Sequence, residues 1–397
     1  MNTIKKIKLF PIRLEGDKKI WMILLLLAAI SILSVYSSTY RITMRTENLT
    51  DAILRHVVFL VTGFVITYIM HKVTYKYYKM LSPLALFVIV VCLILVFILP
   101  GEREKRWLFS RSFQPSDVAK VVMVVYLAKV LSDGFGRSVK EFILRAIVPI
   151  FIVCALIIRG HTSNAMIIGG VSVLMIFMGA SRKKYQAVNI LFVISVISVY
   201  LLFVKDIGRG ETAVSRTETW STWITNVFWP SSKTDNGATA QKPENYLQAT
   251  TAQYAIVSGG LFRIAPGKSF YRKTLADAHN DFIFAVIVEE YGMAGGIFLI
   301  IMYLILFYRI LLVMRKCTKS FTSLMLSGLL IVIISQTFIH IGVSVGGLPV
   351  TGQNLPMIST GGTSILITCA AFGMILAVSR TVEQNNSEKS TNNKKTR

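Results

Sequence analysis

Long apolar segments dominate this chain of 397 residues, and most are separated by short polar connections. Ten segments approach the roughly 20 residues that a helix needs to cross a bilayer. Because lipid cannot satisfy an open backbone, such segments must be helical. The pattern predicts an all-α polytopic membrane protein with about ten transmembrane helices, over 19–39, 52–72, 80–99, 116–132, 142–158, 163–180, 187–205, 282–308, 321–346 and 358–380.

The composition agrees with a membrane protein. Hydrophobic residues make up 53% of the chain and charged residues 16%, with a mean hydropathy of +0.59, whereas soluble proteins carry about 25% charged residues. The formal net charge of +23 arises mainly from basic connections between apolar segments. This arrangement indicates positive-inside topology rather than nucleic-acid binding, and no nucleic-acid partner is expected.

The same distribution predicts where the parts of the chain lie relative to the membrane. A basic N-terminus (1–18), a ten-helix membrane domain (19–380) and a disordered tail (381–397) are expected, with both termini in the cytoplasm. The longest connection, 206–281, is then extracytoplasmic, and its semi-apolar part over 246–265 suits a helix lying in the membrane interface.

A group of ionisable residues marks the end of this loop. Asp277, His279 and Asp281 lie at the mouth of a strongly apolar helix, and Glu289 and Glu290 lie about two turns inside it. Acids at such a place are costly and usually functional, so the pattern indicates chemistry at a membrane surface. A carboxylate at Asp281 suits a general base, but the residues alone equally allow it to be the N-cap of the following helix.

Four blocks of sequence, taken together, resemble the SEDS family (shape, elongation, division and sporulation), which includes FtsW and RodA, with a leaning toward the FtsW branch. Their order and spacing within a ten-helix frame carry the resemblance, which extends over about 20–380. The blocks are Arg106-Trp107 with Phe113-Gln114-Pro115-Ser116-Asp117-Val118-Ala119-Lys120; Gln248 with Ala255-Ile256 and Gly259-Gly260-Leu261; His279-Asn280-Asp281-Phe282-Ile283-Phe284-Ala285-Val286 with Glu289-Glu290 and Gly292; and Leu348-Pro349-Val350-Thr351-Gly352 with Leu355-Pro356, Ile358-Ser359 and Gly361-Gly362-Thr363-Ser364.

The resemblance implies a multi-pass peptidoglycan glycosyltransferase of the bacterial inner membrane. Such an enzyme polymerises lipid II during division or growth, with inversion, Asp281 as general base and undecaprenyl pyrophosphate as leaving group. The implied partners are a class B penicillin-binding protein and other divisome or elongasome membrane proteins. A lipid II flippase and a non-catalytic divisome scaffold remain as alternatives, because intramembrane charges also suit transport.

Further residues receive roles around Asp281. Substrate contacts are expected from Asp117, Lys120, Arg106, Arg111, Gln248 and His279, and supporting roles from Asp277, Glu289, Glu290, Ser359, Gly361 and Gly362. Lys120, three residues after Asp117 on a predicted helix, can form an internal pair with it, although a lysine that snorkels to the interface is the alternative. Lys120 or Arg106 is the expected partner of a glutamate at 289 or 290.

Simpler interpretations stay open for the others. Arg106 and Arg111 are either pyrophosphate contacts or loop charges, Asp277 a second acid or a solvated one, and His279 a partner of the acids or an interfacial histidine. The segment 359–364 forms either an anion-binding nest or a site of close helix packing. A divalent cation, Mg²⁺ or Mn²⁺, bridging Asp281 and pyrophosphate is also left open, because no ligand set is legible.

Several positions depart from the family pattern. Asp117 replaces a glutamate, Thr251 a glutamine and His340 an asparagine, and Ala276-Asp277 replaces a Pro-Glu pair. The family's Pro-Asp-x-Gly segment is replaced by 159–164, where His161 takes the place of the acid. The contacts of these positions are therefore expected to differ from those of typical members.

Overall fold

The computed structural model describes residues 15–38, 49–98, 113–134, 138–158, 160–180, 183–194, 244–263, 266–271, 274–275 and 278–395. The helices in these ranges are α1 (Lys18–Ser38), α2 (Leu49–Lys72), α3 (Tyr75–Ile98), α4 (Pro115–Asp133), α5 (Val139–Ile158, π-helical over Ile143–Ile147), α6 (Thr162–Gly179), α7 (183–194), α8 (Glu244–Ser258), α9 (Ile283–Arg315), α10 (Ser320–Ser344) and α11 (Gly362–Lys395). The all-α fold predicted from the sequence is confirmed.

Among these described helices, eight are long and apolar enough to cross a membrane: α1, α2, α3, α5, α6, α9, α10 and α11. The 19 residues of α4 include four charged ones, which make it more polar than the others. The seventh predicted span, 187–205, is described only as far as residue 194. A polytopic helical membrane protein is therefore established, whereas the count of ten spans stays a prediction.

Close helix packing brings the ends of several helices together. α4 contacts α3, α6 and α10. α11 packs along α2, where the Thr67 hydroxyl donates to the Cys369 carbonyl over 3.0 Å. Gly63 permits this approach, because a Cβ there would lie 2.7 Å from the Cys369 sulfur. One end of each of α4, α6, α10 and α11 thus lies around the loop that joins α10 to α11.

Two polar contacts between α1 and α9 bracket the apolar layer of the bundle. Near one end of α1, Arg309 of α9 donates to Asp17 over 2.9 Å, and at the other end the Ser37 hydroxyl donates to Glu290. Arg309 follows Glu290 by 19 positions, which corresponds to about 28 Å at the helical rise. That length is close to the roughly 30 Å thickness of a hydrocarbon layer, so Glu290 and Arg309 lie near opposite ends of the membrane-spanning part of α9.

The C-terminal tail differs from the prediction, because α11 continues to Lys395 rather than ending near Arg380. The Gly16 amide donates to the Glu383 carboxylate over 3.1 Å, and the Asp17 amide donates to the Ser379 hydroxyl over 3.0 Å. These contacts fix the first turn outside the membrane domain. The residues that follow contain neither glycine nor proline, so no stop signal ends the helix.

Candidate active site

Asp281 lies in the turn that leads into α9 and is half-buried. α9 begins at Ile283, and its N-cap position is occupied by Phe282, without a side-chain cap. Asp281 is therefore one residue outside the helix, and the helix does not use that position as its cap. Asp281 therefore belongs to the turn over 278–282, immediately before the apolar helix.

The loop between α10 and α11 fixes the backbone of this turn. The Thr360 amide and hydroxyl donate to the His279 carbonyl over 3.2 and 3.1 Å. The Ser359 hydroxyl donates to the Asn280 carbonyl over 2.7 Å and accepts the Leu355 amide over 2.8 Å. Two consecutive residues before Asp281 are thus tied to one loop, which restricts where its carboxylate can lie.

α8 packs against the same turn from another side. Ala252 and Ala255 belong to a small apolar cluster with Phe282 and Ala285. Gln248 lies one helical turn before Ala252 and is half-buried, so it faces the same side of α8. This packing brings the Gln248 face of α8 toward the start of α9.

The two polar contacts between α1 and α9 also indicate where Asp281 lies along the bundle axis. Glu290 lies near one end of the membrane-spanning part of α9, and Asp281 precedes it by nine residues. At the helical rise this places Asp281 roughly 10–13 Å beyond Glu290, on the side away from Arg309.

A buried polar cluster lies at the N-terminal ends of α4 and α6. The Lys120 ammonium lies 2.8 Å from Asp117, and their side chains are only 4% and 7% exposed. Lys120 also donates to the Asn164 side-chain oxygen over 3.2 Å. The Asn164 amide donates to Asp117 over 3.2 Å and to Ser116 over 2.9 Å. The ion pair predicted between Asp117 and Lys120 is confirmed, and Asn164 completes it.

The loop between α10 and α11 reaches this cluster as well. Gln353 donates to the Asn164 side-chain oxygen over 3.0 Å, and its own carbonyl lies 2.7 Å from the His340 ring. The Ser163 hydroxyl donates to the Thr351 carbonyl over 2.8 Å. One loop therefore connects the charged cluster, through Gln353, with the Asp281 turn, through Ser359 and Thr360.

An apolar cavity of about 260 Å³ lies between α6 and α10. Ser163 and Thr351 line the end of the cavity that lies beside the polar cluster. Its other lining residues are Met166, Ile167, Gly170, Val171, Leu174, Ser335 and Ile339. From Ser163 to Leu174 the cavity follows α6 for about 16 Å, which gives an apolar surface running inward from the polar cluster.

Lys120 is not the partner of the two glutamates, so that prediction is wrong. Glu289 and Glu290 are 0% and 1% exposed, but Lys120 pairs with Asp117. The Phe270 amide donates to Glu289 over 2.6 Å, and the Ser269 amide donates to Glu290 over 3.2 Å. Hydroxyls and backbone amides thus stabilise these carboxylates; Arg106, the other predicted partner, lies outside the described residues.

The remaining predicted residues divide into two groups. Arg106, Arg111 and Asp277 lie outside the described residues. Gly361 and Gly362 allow close packing: a Cβ at Gly362 would lie 2.8 Å from the Phe59 ring, and one at Gly361 would lie 2.4 Å from the Asn354 amide. Among the described residues, no group of three or more His, Cys, Asp or Glu side chains is placed to bind a metal ion.

Several polar residues of this region were missed by the sequence analysis. Asn164 and Gln353 join the charged cluster to the loop, although 189 positions separate them. The side-chain oxygens of Asn280 and Asn354 are buried without a hydrogen-bond partner in the described part of the chain. Buried acceptors of this kind are uncommon in folded proteins. The sequence signals were the departure from the family pattern over 159–164, which includes Asn164, and the family block over 279–286, which includes Asn280.

Comparisons with known proteins agree with this architecture. A family described as cell cycle protein, covering FtsW, RodA and SpoVE, matches residues 17–384. The probable peptidoglycan glycosyltransferase FtsW of Saccharophagus degradans is 29% identical over 344 residues, covering 83% of this chain and 82% of that protein. Its namesake from Bacillus subtilis is 31% identical over 287 residues, covering 70% and 67%.

Two solved structures show the same fold. A chain of a peptidoglycan synthase complex that coordinates polymerization and crosslinking aligns with a TM-score of 0.72 at 20% identity, covering 93% of this chain and 99% of that one. The rod shape determining protein RodA of Thermus thermophilus aligns with a TM-score of 0.64 at 21% identity, covering 92% and 97%. At these identities the similarity establishes the fold alone.

Proposed function

Because the chain belongs to the FtsW, RodA and SpoVE family of cell cycle proteins, we propose that it is a peptidoglycan glycosyltransferase that polymerises lipid II into glycan strands. The relatives named FtsW favour a role in cell division. One observation carries the proposal: the loop between α10 and α11 contacts both the Asp281 turn and the Asp117–Lys120–Asn164 cluster. An acid and a cation are thereby linked at one face of the membrane.

Asp281 is the general base of the proposed reaction. Its carboxylate accepts the proton of the acceptor sugar hydroxyl while that oxygen attacks the anomeric carbon of the donor. The bond from this carbon to the pyrophosphate oxygen breaks on the opposite face, so the configuration inverts. Undecaprenyl pyrophosphate leaves with the bonding electron pair. A positioned base contributes about 10²–10⁴-fold to such a transfer.

The polar cluster is proposed to receive the donor's pyrophosphate. Lys120 supplies the cation, and Asn164 and Gln353 supply amide groups beside it. Cationic and amide donors stabilise developing negative charge on a leaving group. The cavity between α6 and α10 begins at Ser163 and Thr351, next to this cluster, and offers an apolar surface for the polyprenyl chain.

The test uses the purified full chain in nanodiscs with its class B penicillin-binding protein and labelled lipid II. Wild type is compared with Asp281→Asn, and Asp51→Asn is the matched control because Asp51 is an exposed carboxylate at the start of α2. We expect glycan strands from wild type and control but not from Asp281→Asn. Lipid II flipping by both wild type and Asp281→Asn, without polymer from either, would instead support a flippase.

The same proposal assigns the chain's environment and partners. Basic residues in the connection after α9, Arg315, Lys316 and Lys319, favour a cytoplasmic location for that connection and for both termini. The bacterial inner membrane is then the site of action, with a class B penicillin-binding protein and further divisome membrane proteins as partners. Co-purification of the tagged full chain with that transpeptidase tests the pairing, and its absence from the eluate would count against it.

A further inference from the structure

We propose that residues 258–263, the anchor segment, insert Leu261 and Phe262 into the acyl chains of the outer leaflet. The segment lies where α8 ends against α9. This inference goes beyond glycosyl transfer and does not depend on it, because it concerns how the extracytoplasmic segment after α8 contacts the membrane.

A break in α9 provides the place where the anchor segment docks. Gly292 has φ +71° and ψ −179° inside this helix, so the helical hydrogen-bond pattern is interrupted there. The Met293 amide donates instead to the Gly260 carbonyl over 2.9 Å, and the Ala294 amide donates to the Leu261 carbonyl over 3.1 Å. Non-helical backbone at membrane depth must be satisfied by protein groups, and here two such bonds cross between the segment and the helix.

Two glycines allow the backbones to approach. A Cβ at Gly259 would lie 2.2 Å from the Val288 carbonyl oxygen, and a Cβ at Gly292 would lie 2.7 Å from the Leu261 carbonyl oxygen. Neither position has room for a side chain unless the backbones move apart. The contact between the anchor segment and α9 is therefore backbone against backbone, and the side chains of Leu261 and Phe262 point elsewhere.

The two polar contacts between α1 and α9 indicate the depth of this contact. In the proposed topology the N-terminal end of α9 faces outward, so Glu290, which accepts the Ser37 hydroxyl, lies near the outer hydrocarbon boundary. Met293 follows Glu290 by three residues toward Arg309, and because Gly292 between them is non-helical, their separation is bounded only by the extended chain, at about 10 Å. Leu261, bonded at that level, thus lies just inside the hydrocarbon rather than above the membrane.

The exposed surface at this depth is apolar. Leu261 is 73% exposed and Phe262 86% exposed. On α9, Met293, Ile297 and Phe298 are also exposed, so the patch is continuous with the lipid-facing surface of a transmembrane helix. This continuity favours lipid chains over a protein partner as the occupant.

Basic residues flank the two apolar side chains. The Arg263 guanidinium donates to the Ser258 carbonyl over 3.3 Å, and Lys268 is exposed farther along the chain. Long cationic side chains next to an inserted apolar pair place their charges among lipid phosphates. The arrangement is that of a short interfacial anchor, apolar at its tip and basic beside it.

Fluorescence quenching in nanodiscs tests the proposal. A bimane label is placed at Phe262→Cys, with Leu261→Cys as a second site and the exposed Thr274→Cys as matched control. The three half-buried native cysteines are replaced by alanine, as Cys92→Ala, Cys154→Ala and Cys317→Ala. The buried Cys369 is retained. Lipids carrying a nitroxide near the top of the acyl chain should quench the labels at 261 and 262 several-fold more than the control, and aqueous iodide should show the reverse order.

Two results would overturn the proposal. One is quenching of the 262 and 261 labels by iodide to the same extent as the control, with no acyl-chain quenching. The other is loss of acyl-chain quenching when the transpeptidase is added, which would make the patch a protein docking surface. Retention of lipid quenching with and without that partner supports the anchor. Gel filtration of each labelled variant confirms that the comparison is made on folded protein.

Discussion

The buried pair of Asp117 and Lys120 allows a quantitative test of how the polar cluster is built. Lys120→Met leaves the Asp117 carboxylate inside the protein with the Asn164 amide, at 3.2 Å, as its remaining donor in the cluster. Breaking a buried pair in this way costs about 3–5 kcal/mol of unfolding free energy, whereas neutralising both partners is often close to neutral. Asp117→Asn with Lys120→Met should therefore recover most of the stability that the single change loses.

Thermal unfolding in nanodiscs measures the stability of both single variants and the double variant, and lipid II polymerisation is measured on the same samples. The account predicts strong coupling in the double-mutant cycle, with activity still low in the double variant because Lys120 also serves the pyrophosphate. Additive destabilisation would refute the electrostatic reasoning. A stable double variant with full activity would refute the substrate role of Lys120.

Three further outcomes follow from individual contacts. Gly292→Ala should lower the free energy of unfolding by about 1–3 kcal/mol. Gly170→Ala, where a Cβ meets open space, should be neutral or stabilising in thermal unfolding. Equal effects of the two changes would contradict the docking of the anchor segment on α9. Glu289→Gln should accelerate hydrogen exchange of the Phe270 amide about tenfold or more, because a hydrogen bond to a charged group is worth about 1.5–3 kcal/mol; unchanged exchange would count against the contact. Burial raises the pKa of the Cys317 thiol, so its alkylation should be slow at neutral pH and become faster as the pH rises. In the proposed topology a membrane-impermeant reagent should label Cys317 only from the cytoplasmic face. Labelling from outside would contradict that topology.

The helices were largely predictable from hydropathy, but their lengths were not. The prediction for α9 stopped at residue 308, whereas the helix runs to Arg315, because Arg309 is paired with Asp17 instead of ending the span. The break at Gly292 has no clear sequence signal, since glycines are frequent in transmembrane helices and Gly295 and Gly296 of the same helix cause no such break. It depends on the anchor segment, which lies some 30 positions earlier in the chain.

The candidate site divides in the same way. Asp281 and the neighbouring Asp117–Lys120 pair were visible as charges in apolar surroundings. The surroundings of Glu289 were not, because the backbone amides that stabilise it leave no mark in a sequence. Asn164 and Gln353 meet only in the folded chain, so their pairing depends on tertiary structure.

The dependence of the polymerisation rate on pH, measured at saturating lipid II with the transpeptidase present, tests most directly whether the Asp281 carboxylate is the base. For wild type the rate should fall on the acid side as one essential carboxylate becomes protonated, and Asp281→Asn should lose about 10²–10⁴-fold in rate together with that acid limb. An Asp281→Asn enzyme that keeps both the wild-type rate and the wild-type acid limb would contradict the central claim.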